Sequence, residues 1–239
     1  MHSSPEPVGR LIGIWRYPVK SMGAEALQAC GVGWHGLVGD RRWAFVRPDS
    51  ARSGFPWFTL RERADMNHFR PRFADPDRPN DSATLVTTPE GSELDVTDPA
   101  LGQELCAEGA RVIKQGRGIF DTFPLSLIST QTLANLSTSV GVDLSVERFR
   151  PNLLVQTDSD EPFPEDSWVG RTVRIGEFQM RIDQRDGRCL VVTLDPETGA
   201  RNPAILREIA QTRDGCLGVY GSTVEPGEVR LGDPVFVAS

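Results

Sequence analysis

The chain has 239 residues, 38% hydrophobic and 25% charged, enough for one large or two small domains with a substantial core. Its 26 basic and 33 acidic side chains give a net charge of −7, which argues against a nucleic-acid partner because phosphate binding requires a basic face. No apolar run approaches the roughly 20 residues of a membrane helix. The polar start, residues 1–10, has no apolar signal core, so we expect no membrane partner.

The cysteines indicate a reduced protein. Cys30, Cys106, Cys189 and Cys216 lie far apart, with neither a C-x-x-C pair nor a histidine cluster. This spacing fits neither a secreted disulfide framework nor a zinc signature. We therefore expect a cytoplasmic location.

The first part of the chain predicts short strands. Residues 10–17 form an apolar, β-prone run, and residues 25–30 and 39–46 predict further strands. The segment between them, residues 31–36, matches the dinucleotide pattern G-x-G-x-x-G. That pattern should open a helix, but a strand is expected after it, so turn glycines are favoured over a nucleotide site.

The next segment predicts a strand, a loop, a hairpin and a helix. Residues 55–60 are aromatic and β-prone, whereas residues 70–82 are crowded with Pro, Asp and Asn and predict a loop. Residues 83–88 and 92–97 predict a hairpin. A helix should follow, with Asp98 as N-cap, and end at Gly109.

The second half repeats this pattern after a plausible domain joint at residues 116–118. Before the joint, a strand is predicted over residues 111–115. After it, strands are predicted over residues 124–129, 153–156, 172–176, 177–183, 218–221 and a closing strand pair in 228–237; helices are predicted over 130–140 and 202–214, and an acidic loop over 158–168. Many short strands with three short helices favour barrels over a parallel α/β sheet. We predict a mainly β protein of two associated barrel-like domains, residues 8–115 and 116–239, with a site in the cleft between them.

Cys189 is the central candidate residue for a functional site. Residues 188–194 predict a buried strand, and residues 195–199 the turn that ends it. Arg188 is adjacent, and a cationic neighbour stabilises the thiolate, which is the nucleophilic and metal-binding form of cysteine. The alternative is that Cys189 is a small buried hydrophobe.

Six motifs occur in an order that resembles the MOSC-domain proteins, with a MOSC N-terminal β-barrel domain in front. They are YPVKS at residues 17–21, GDRRW at 39–43, FRPN at 149–152, EDSW at 165–168, Arg188-Cys189 followed by DPETG at 195–199, and GDPV at 232–235. The resemblance extends from about Arg10 to Val237. It is strongest to the mitochondrial amidoxime-reducing components and their bacterial counterparts.

The resemblance implies reduction of N-hydroxylated compounds, such as hydroxylamines, amidoximes and N-hydroxylated bases, with a molybdenum–molybdopterin cofactor. Cys189 would be the protein ligand to molybdenum. The other implied cofactor contacts are Lys20, Ser21, Arg41, Arg150 and Asn152 at the phosphate and pterin, Gly187 and Arg188 next to the metal, Tyr220 closing the pocket, and Thr122. A soft thiolate suits a soft, redox-active metal.

Alternative interpretations remain for both the residues and the function. Lys20, Arg41 and Arg150 could be solvated surface charges, and Tyr220 a core aromatic residue. Asp186 departs from relatives that often carry cysteine or proline just upstream of the Arg-Cys pair, and is expected to change substrate preference. Nothing in the sequence excludes pyridoxal phosphate.

Electron supply separates the two functional hypotheses. With no cysteine cluster for an iron–sulfur site, a reductase would need a separate electron-transfer protein, either a ferredoxin-type protein or a flavin reductase. The alternative is a carrier without turnover, which would hold a persulfide on Cys189 or the molybdenum cofactor itself.

Overall fold

The computed structural model describes residues 6–50 and 53–238; residues 1–5 of the polar start lie outside this range. The strands are β1 Gly9–Arg16, β2 Glu25–Ala26, β3 Ala29–Gly33, β4 Gly36–Leu37, β5 Trp43–Val46, β6 Trp57–Phe58, β7 Arg70–Phe73, β8 Thr84–Thr87, β9 Glu93–Asp95, β10 Arg111–Lys114, β11 Leu125–Ser129, β12 Leu153–Thr157, β13 Thr172–Ile175, β14 Phe178–Gly187, β15 Cys216–Glu225, β16 Gly227–Arg230 and β17 Pro234–Val237. The α-helices are α1 Pro99–Leu105, α2 Thr130–Val140 and α3 Pro203–Thr212, and 3-10 helices span Ala64–His68, Val146–Phe149, Pro164–Trp168 and Leu190–Thr193.

Seven strands form a closed barrel. The order is β12-β11-β15-β14-β13-β17-β1, and pairing of β1 with β12 closes it. β11 and β12 run parallel and are connected through α2, whereas the other neighbours are antiparallel. Alternate residues of each strand fill the interior, among them Phe178, Met180 and Ile182 of β14. The predicted mainly β barrel class is confirmed.

The first half of the chain builds a second core and also contributes strands to the second half. The sheets β10-β5-β6 and β7-β8-β9 pack with α1 around Met22, Phe45, Met66 and Phe69. However, β1 belongs to the barrel, and β3 pairs with β16. The two halves are therefore joined by backbone hydrogen bonds as well as by packing.

The segment after Cys189 lies between two cores. Val191 and Leu194 pack into the core of the first half, whereas Val192 packs into a third core, in which α2 and α3 cover the outside of the barrel. The turn that follows is fixed by Asp195, whose Oδ1 accepts from two backbone N–H groups and whose N–H donates to Ala200 O at 2.8 Å. The core of the first half and the third core thus both fix the segment that follows Cys189.

Most predicted elements are confirmed. α2 has the predicted bounds, Asp98 caps α1 by accepting from Ala100 N at 2.9 Å, and Asn202 caps α3. The glycines of residues 31–36 form a strand and turn, and the strand β5 follows them. No helix among the described residues is long and apolar enough to span a bilayer.

Four predictions are wrong. The helix α1 ends at Leu105 rather than at Gly109, because Cys106 already has an extended backbone. The predicted loop 70–82 begins with β7, where Pro71 is tolerated because β7 is the edge of its sheet. The predicted strand 188–194 is instead a 3-10 helix over Leu190–Thr193, since its apolar side chains divide between two cores. The closing strands β16 and β17 do not pair with each other; β16 pairs with β3, and β17 with β1 and β13.

Candidate functional site

One cavity of about 250 Å³ brings together every residue predicted for the site. Its lining includes Lys20, Ser21, Arg41, Thr122, Arg150, Asn152, Gly187, Arg188, Cys189 and Tyr220. It also includes Arg61, Arg148, Asp121 and Asp186, so that among the described residues six basic side chains and two acidic ones face it. A protein with net charge −7 therefore contains a locally cationic cavity, which attracts anionic ligands.

Three of the lining residues have strained backbones. Ser21, Arg41 and Arg150 have φ angles of 68°, 48° and 53°, in the left-handed region that non-glycine residues rarely adopt. Hydrogen bonds hold two of them there: Arg41 N donates to Tyr17 O at 2.6 Å, and Arg150 N to Glu147 O at 3.2 Å. Such strain persists where the surrounding structure enforces it, commonly at functional sites.

Arg41 and Arg150 stack on the same buried ring. Their guanidinium carbons lie 4.6 Å and 4.3 Å from the centre of Tyr17. Arg41 forms an ion pair with the buried Asp40, but Arg150 has no ion-pair partner among the described residues, and its Nη2 is buried without a hydrogen-bond acceptor. Burial, reinforced by Arg41, lowers the pKa of Arg150 to about 10. The site thus contains an uncompensated cation.

Asn152 is a buried residue of the cavity lining that supports it through hydrogen bonds. Its side chain is only 1% exposed. Its amide nitrogen donates to Trp15 O at 3.1 Å and to Asp40 Oδ2 at 3.2 Å, and its amide oxygen accepts from Ser126 N at 3.2 Å. Because both amide hydrogens are engaged, Asn152 acts here by positioning β1, Asp40 and β11.

Lys20 reaches the cavity from the loop after β1. Its Nζ donates to Ile119 O at 3.1 Å and pairs with Asp121. Burial lowers the pKa of Lys20, although Asp121 opposes this effect. Thr122 follows Asp121 directly, so that the segment before β11, which Lys20 contacts, lines the cavity.

Cys189 lies half-buried at the cavity, and the cation that contacts it was not predicted. Arg61 Nη2 donates to Cys189 Sγ at 3.5 Å. Arg61 also lies 3.7 Å from Asp121 Oδ2 and stacks on Phe55, with its guanidinium carbon 5.2 Å from the ring centre. Arg61 is 128 residues from Cys189 in sequence, and no local pattern indicates the contact.

Arg188, which was predicted to stabilise the thiolate, makes its own hydrogen bonds to the backbone: Nη1 donates to Phe149 O and Nε to Leu217 O, both at 2.8 Å. Its effect on the thiol stays a prediction. Its Nη2 lies 2.9 Å from Asp186 Oδ2 but without hydrogen-bond geometry. Arg188 thus fixes the backbone beside Cys189.

Asp186 is a buried acid in the cavity wall. Ser126 Oγ donates to its Oδ2 at 3.0 Å, whereas its Oδ1 is buried without a partner. Burial raises the pKa of Asp186 despite the opposing charge of Arg188. Burial, followed by the nearby Asp186, likewise raises the pKa of Tyr220.

The lining determines what kind of ligand fits. No group of three or more His, Cys, Asp or Glu side chains that could hold a metal ion occurs in residues 6–50 or 53–238. A metal at Cys189 would therefore need further ligands from a cofactor. The unpartnered Arg150 Nη2 suits an anionic group such as phosphate, and beside Gly187 a Cβ would meet no protein atom within 4 Å. The residues fit an anionic cofactor that carries a soft metal.

Family comparisons agree with the fold. The MOSC domain matches residues 114–236, and the MOSC N-terminal beta barrel domain matches residues 8–114. The chain belongs to the MOSC family.

The curated relatives that match this MOSC protein include two kinds. Mitochondrial amidoxime-reducing component 1 of Danio rerio is 33% identical over 126 residues, 48% of this chain and 37% of the relative. Molybdenum cofactor sulfurase of Drosophila grimshawi is 26% identical over 279 residues, 95% of this chain and 34% of the relative. The matched region thus spans little more than a third of either relative.

A solved structure supports the fold. The YUAD protein from Bacillus subtilis superposes with a TM-score of 0.52 at 14% identity, over 96% of this chain and 94% of that protein.

Proposed function

We propose that this MOSC protein is a molybdenum-cofactor-dependent oxidoreductase that reduces N-hydroxylated compounds, with Cys189 as the protein ligand to molybdenum. The observation that carries this proposal is the pairing, in one cationic cavity, of the uncompensated Arg150 with a single thiol. The amidoxime-reducing components among its relatives support the reaction class.

The basic residues would hold the anionic end of the cofactor. Arg150 offers a free guanidinium edge, and Arg41 keeps a fixed orientation through Asp40; arginine can grip two phosphate oxygens at once. Lys20 is already paired with Asp121, so it would contribute to the positive electrostatic potential of the cavity rather than form a new ion pair. Ser21 and Thr122 would offer hydroxyls to the polar pterin, and Tyr220 would close the cavity.

The molybdenum cofactor, when bound, supplies two-electron reduction of the N–O group, and the protein supplies orientation and electrostatics. Cys189 would hold the metal as thiolate, and Arg61 would balance its charge. Gly187 would leave room for the cofactor. Electrons would come from a separate ferredoxin-type or flavin-containing protein, and the substrate would be a small N-hydroxylated molecule.

Molybdenum content and activity test the proposal together. The protein is purified from a host that makes molybdopterin, and its metal content and hydroxylamine-dependent oxidation of reduced viologen are measured. We expect near-stoichiometric molybdenum and turnover in the parent. Cys189→Ser should abolish turnover with little loss of fold, whereas Cys216→Ser, a half-buried cysteine outside the cavity lining, should retain both. Full activity of Cys189→Ser would refute the assignment.

A second candidate is a carrier of sulfur or of the cofactor. The sulfurase match covers 95% of this chain, whereas the amidoxime-reducing component covers 48%. Cys189 would then carry a persulfide or the domain would deliver the cofactor. Protein without molybdenum but with a persulfide that is lost in Cys189→Ser would favour this function.

A further inference from the structure

A buried acid with one free oxygen lies three residues before Cys189. Asp186 is the next-to-last residue of β14, is only 1% exposed, and lines the same cavity as the thiol. Its Oδ2 accepts from Ser126 Oγ and lies 2.9 Å from Arg188 Nη2, and the Tyr220 hydroxyl faces the carboxyl, but its Oδ1 makes no hydrogen bond although it is buried. Because an unpaired buried polar atom is costly, this oxygen requires a ligand or a function.

We propose that Asp186 is the acid that protonates the departing oxygen of the N-hydroxylated substrate. This inference rests on the proposed reductase function and adds a catalytic residue to it. The juxtaposition that carries it is a buried carboxyl oxygen without a hydrogen-bond partner, in a residue that lines the same cavity as Cys189, the only thiol in the described lining.

The reaction requires such an acid. In R–NH–OH + 2e⁻ + 2H⁺ → R–NH₂ + H₂O, the N–O bond breaks, and hydroxide is a poor leaving group unless it is protonated as it departs. Asp186 gives its proton to this oxygen, which leaves as water. The second proton reaches nitrogen from solvent, and the two electrons come from an external reductant such as reduced viologen. General acid catalysis of this kind typically contributes about 10²–10⁴-fold to a rate.

The surroundings suit a group that first carries and then gives up a proton. The groups that face Asp186 are Arg188 from the segment after β14, Ser126 from β11, Tyr220 from β15 and, at longer range, Arg41. Burial keeps the pKa of the carboxyl above its ordinary value of 3.8. Once ionised, the carboxylate is stabilised by Arg188 at 2.9 Å and the Ser126 hydroxyl at 3.0 Å.

The other acidic groups of the cavity fit this role less well. Although burial raises the pKa of Asp121, Lys20 and then Arg61 outweigh it and leave that pKa below its usual value, so Asp121 has no proton to give. Tyr220 holds its proton too strongly, because burial and Asp186 both raise the pKa of its phenol.

The variant Asp186→Asn tests the proposal, with Asp183→Asn as control. Asp183 lies on the same strand but outside the cavity lining, and it pairs with Arg181 and Ser222. Hydroxylamine is the substrate, reduced viologen is the reductant, and kcat is measured from pH 5 to 9. We expect kcat to fall about 100-fold in Asp186→Asn and its decline with rising pH to disappear. Molybdenum content should stay at the parent level, and Asp183→Asn should match the parent.

A measurement independent of turnover follows the carboxyl itself. In metal-free protein labelled with carboxyl-¹³C aspartate, the NMR signal of Asp186 is identified by its loss in Asp186→Asn. It should titrate above 3.8. Titration at or below 3.8, parent-level kcat across the pH range, or loss of molybdenum from Asp186→Asn would each overturn the assignment; the last would make Asp186 a cofactor contact.

These outcomes separate the inference from the function it rests on. If the parent reduces hydroxylamine and Asp186→Asn equals it, only the assignment of Asp186 fails. If the parent contains molybdenum but does not reduce hydroxylamine, amidoximes or N-hydroxylated bases, the reductase function fails and the acid role falls with it.

Discussion

Replacing Arg150 with glutamine should stabilise the cofactor-free protein and weaken its hold on the cofactor. Arg150 is charged, partly buried and without an ion-pair partner among the described residues, and it stacks on Tyr17 next to another cation, Arg41. Such an arrangement is unfavourable until an anion binds. We therefore expect Arg150→Gln to raise the stability of the cofactor-free protein and to lower cofactor retention, as is common for residues that serve function rather than stability.

The magnitude follows from the pKa shift. The pKa of Arg150 falls from 12.5 to about 10 because burial disfavours its charge. At about 1.4 kcal/mol per unit, the folded state loses up to about 3 kcal/mol at pH 7. Because the pKa is lowered in the folded state, this loss of folding free energy is fully present below pH 10 and disappears as the pH rises to 12.5. Glutamine removes that loss but also the stacking on Tyr17, roughly 1–2 kcal/mol. The net gain should be about 1 kcal/mol.

Urea unfolding of metal-free protein at pH 7 measures the stability, and molybdenum per chain after purification measures retention. The matched control is Arg174→Gln, since Arg174 also stacks on an aromatic ring, 4.0 Å from the centre of Phe236, but outside the cavity lining. The control should lose about 0.5–1 kcal/mol and keep its molybdenum. Loss of one charge-assisted phosphate contact should weaken cofactor binding by Arg150→Gln about 10- to 100-fold. If Arg150→Gln is destabilised as much as the control and keeps its molybdenum, the reasoning is refuted.

Three further variants test the site and the barrel that supports it. Asn152→Ala should lower the free energy of unfolding by about 3 kcal/mol, because it leaves the buried partners of three hydrogen bonds unpaired; a loss below about 1 kcal/mol in urea would contradict this. Burial raises the pKa of Glu165 above 4.5, although its hydrogen bonds to Ser129 oppose this effect. The free energy of unfolding should therefore decrease as the pH rises above 4.5. Glu165→Gln should flatten this pH dependence of stability between pH 5 and 8, and an unchanged pH dependence in urea unfolding would refute the reasoning. Arg61→Gln should slow alkylation of Cys189 by anionic iodoacetate more than by neutral iodoacetamide, because it removes the cation at the sulfur; equal effects on both reagents would count against the contact.

Much of the fold could be predicted from short stretches of sequence. α2 and α3 carry their caps and apolar periodicity within about a dozen residues, and the hairpin of β8 and β9 carries its own turn glycine, Gly91. These features depend on propensity and hydrogen bonds between neighbours in sequence. Errors occurred where partners lie far apart, as at β7, which forms because β8 pairs with it despite Pro71.

The residues of the candidate site were predicted from a family resemblance rather than from local propensity. Lys20, Ser21, Arg41, Arg150 and Asn152 were found through motifs resembling a family, and the fold brings them to one cavity. Their sequence did not indicate that three lining residues have positive φ or that the amide hydrogens of Asn152 are engaged by protein. These are consequences of packing around Tyr17 and Asp40.

The sequence by itself determined the barrel class and the three helices, because these depend on propensity and on contacts within a few residues, and its motifs indicated the candidate site only through a resemblance to a family. Only the tertiary structure decided which charges meet. It placed Arg61 on Cys189 across 128 residues, turned the adjacent Arg188 toward the carbonyls of Phe149 and Leu217, and left Arg150 without a counter-ion. The physical reason is that a side chain's direction and burial, and hence its charge state and partners, are set by the two cores that enclose the segment after Cys189.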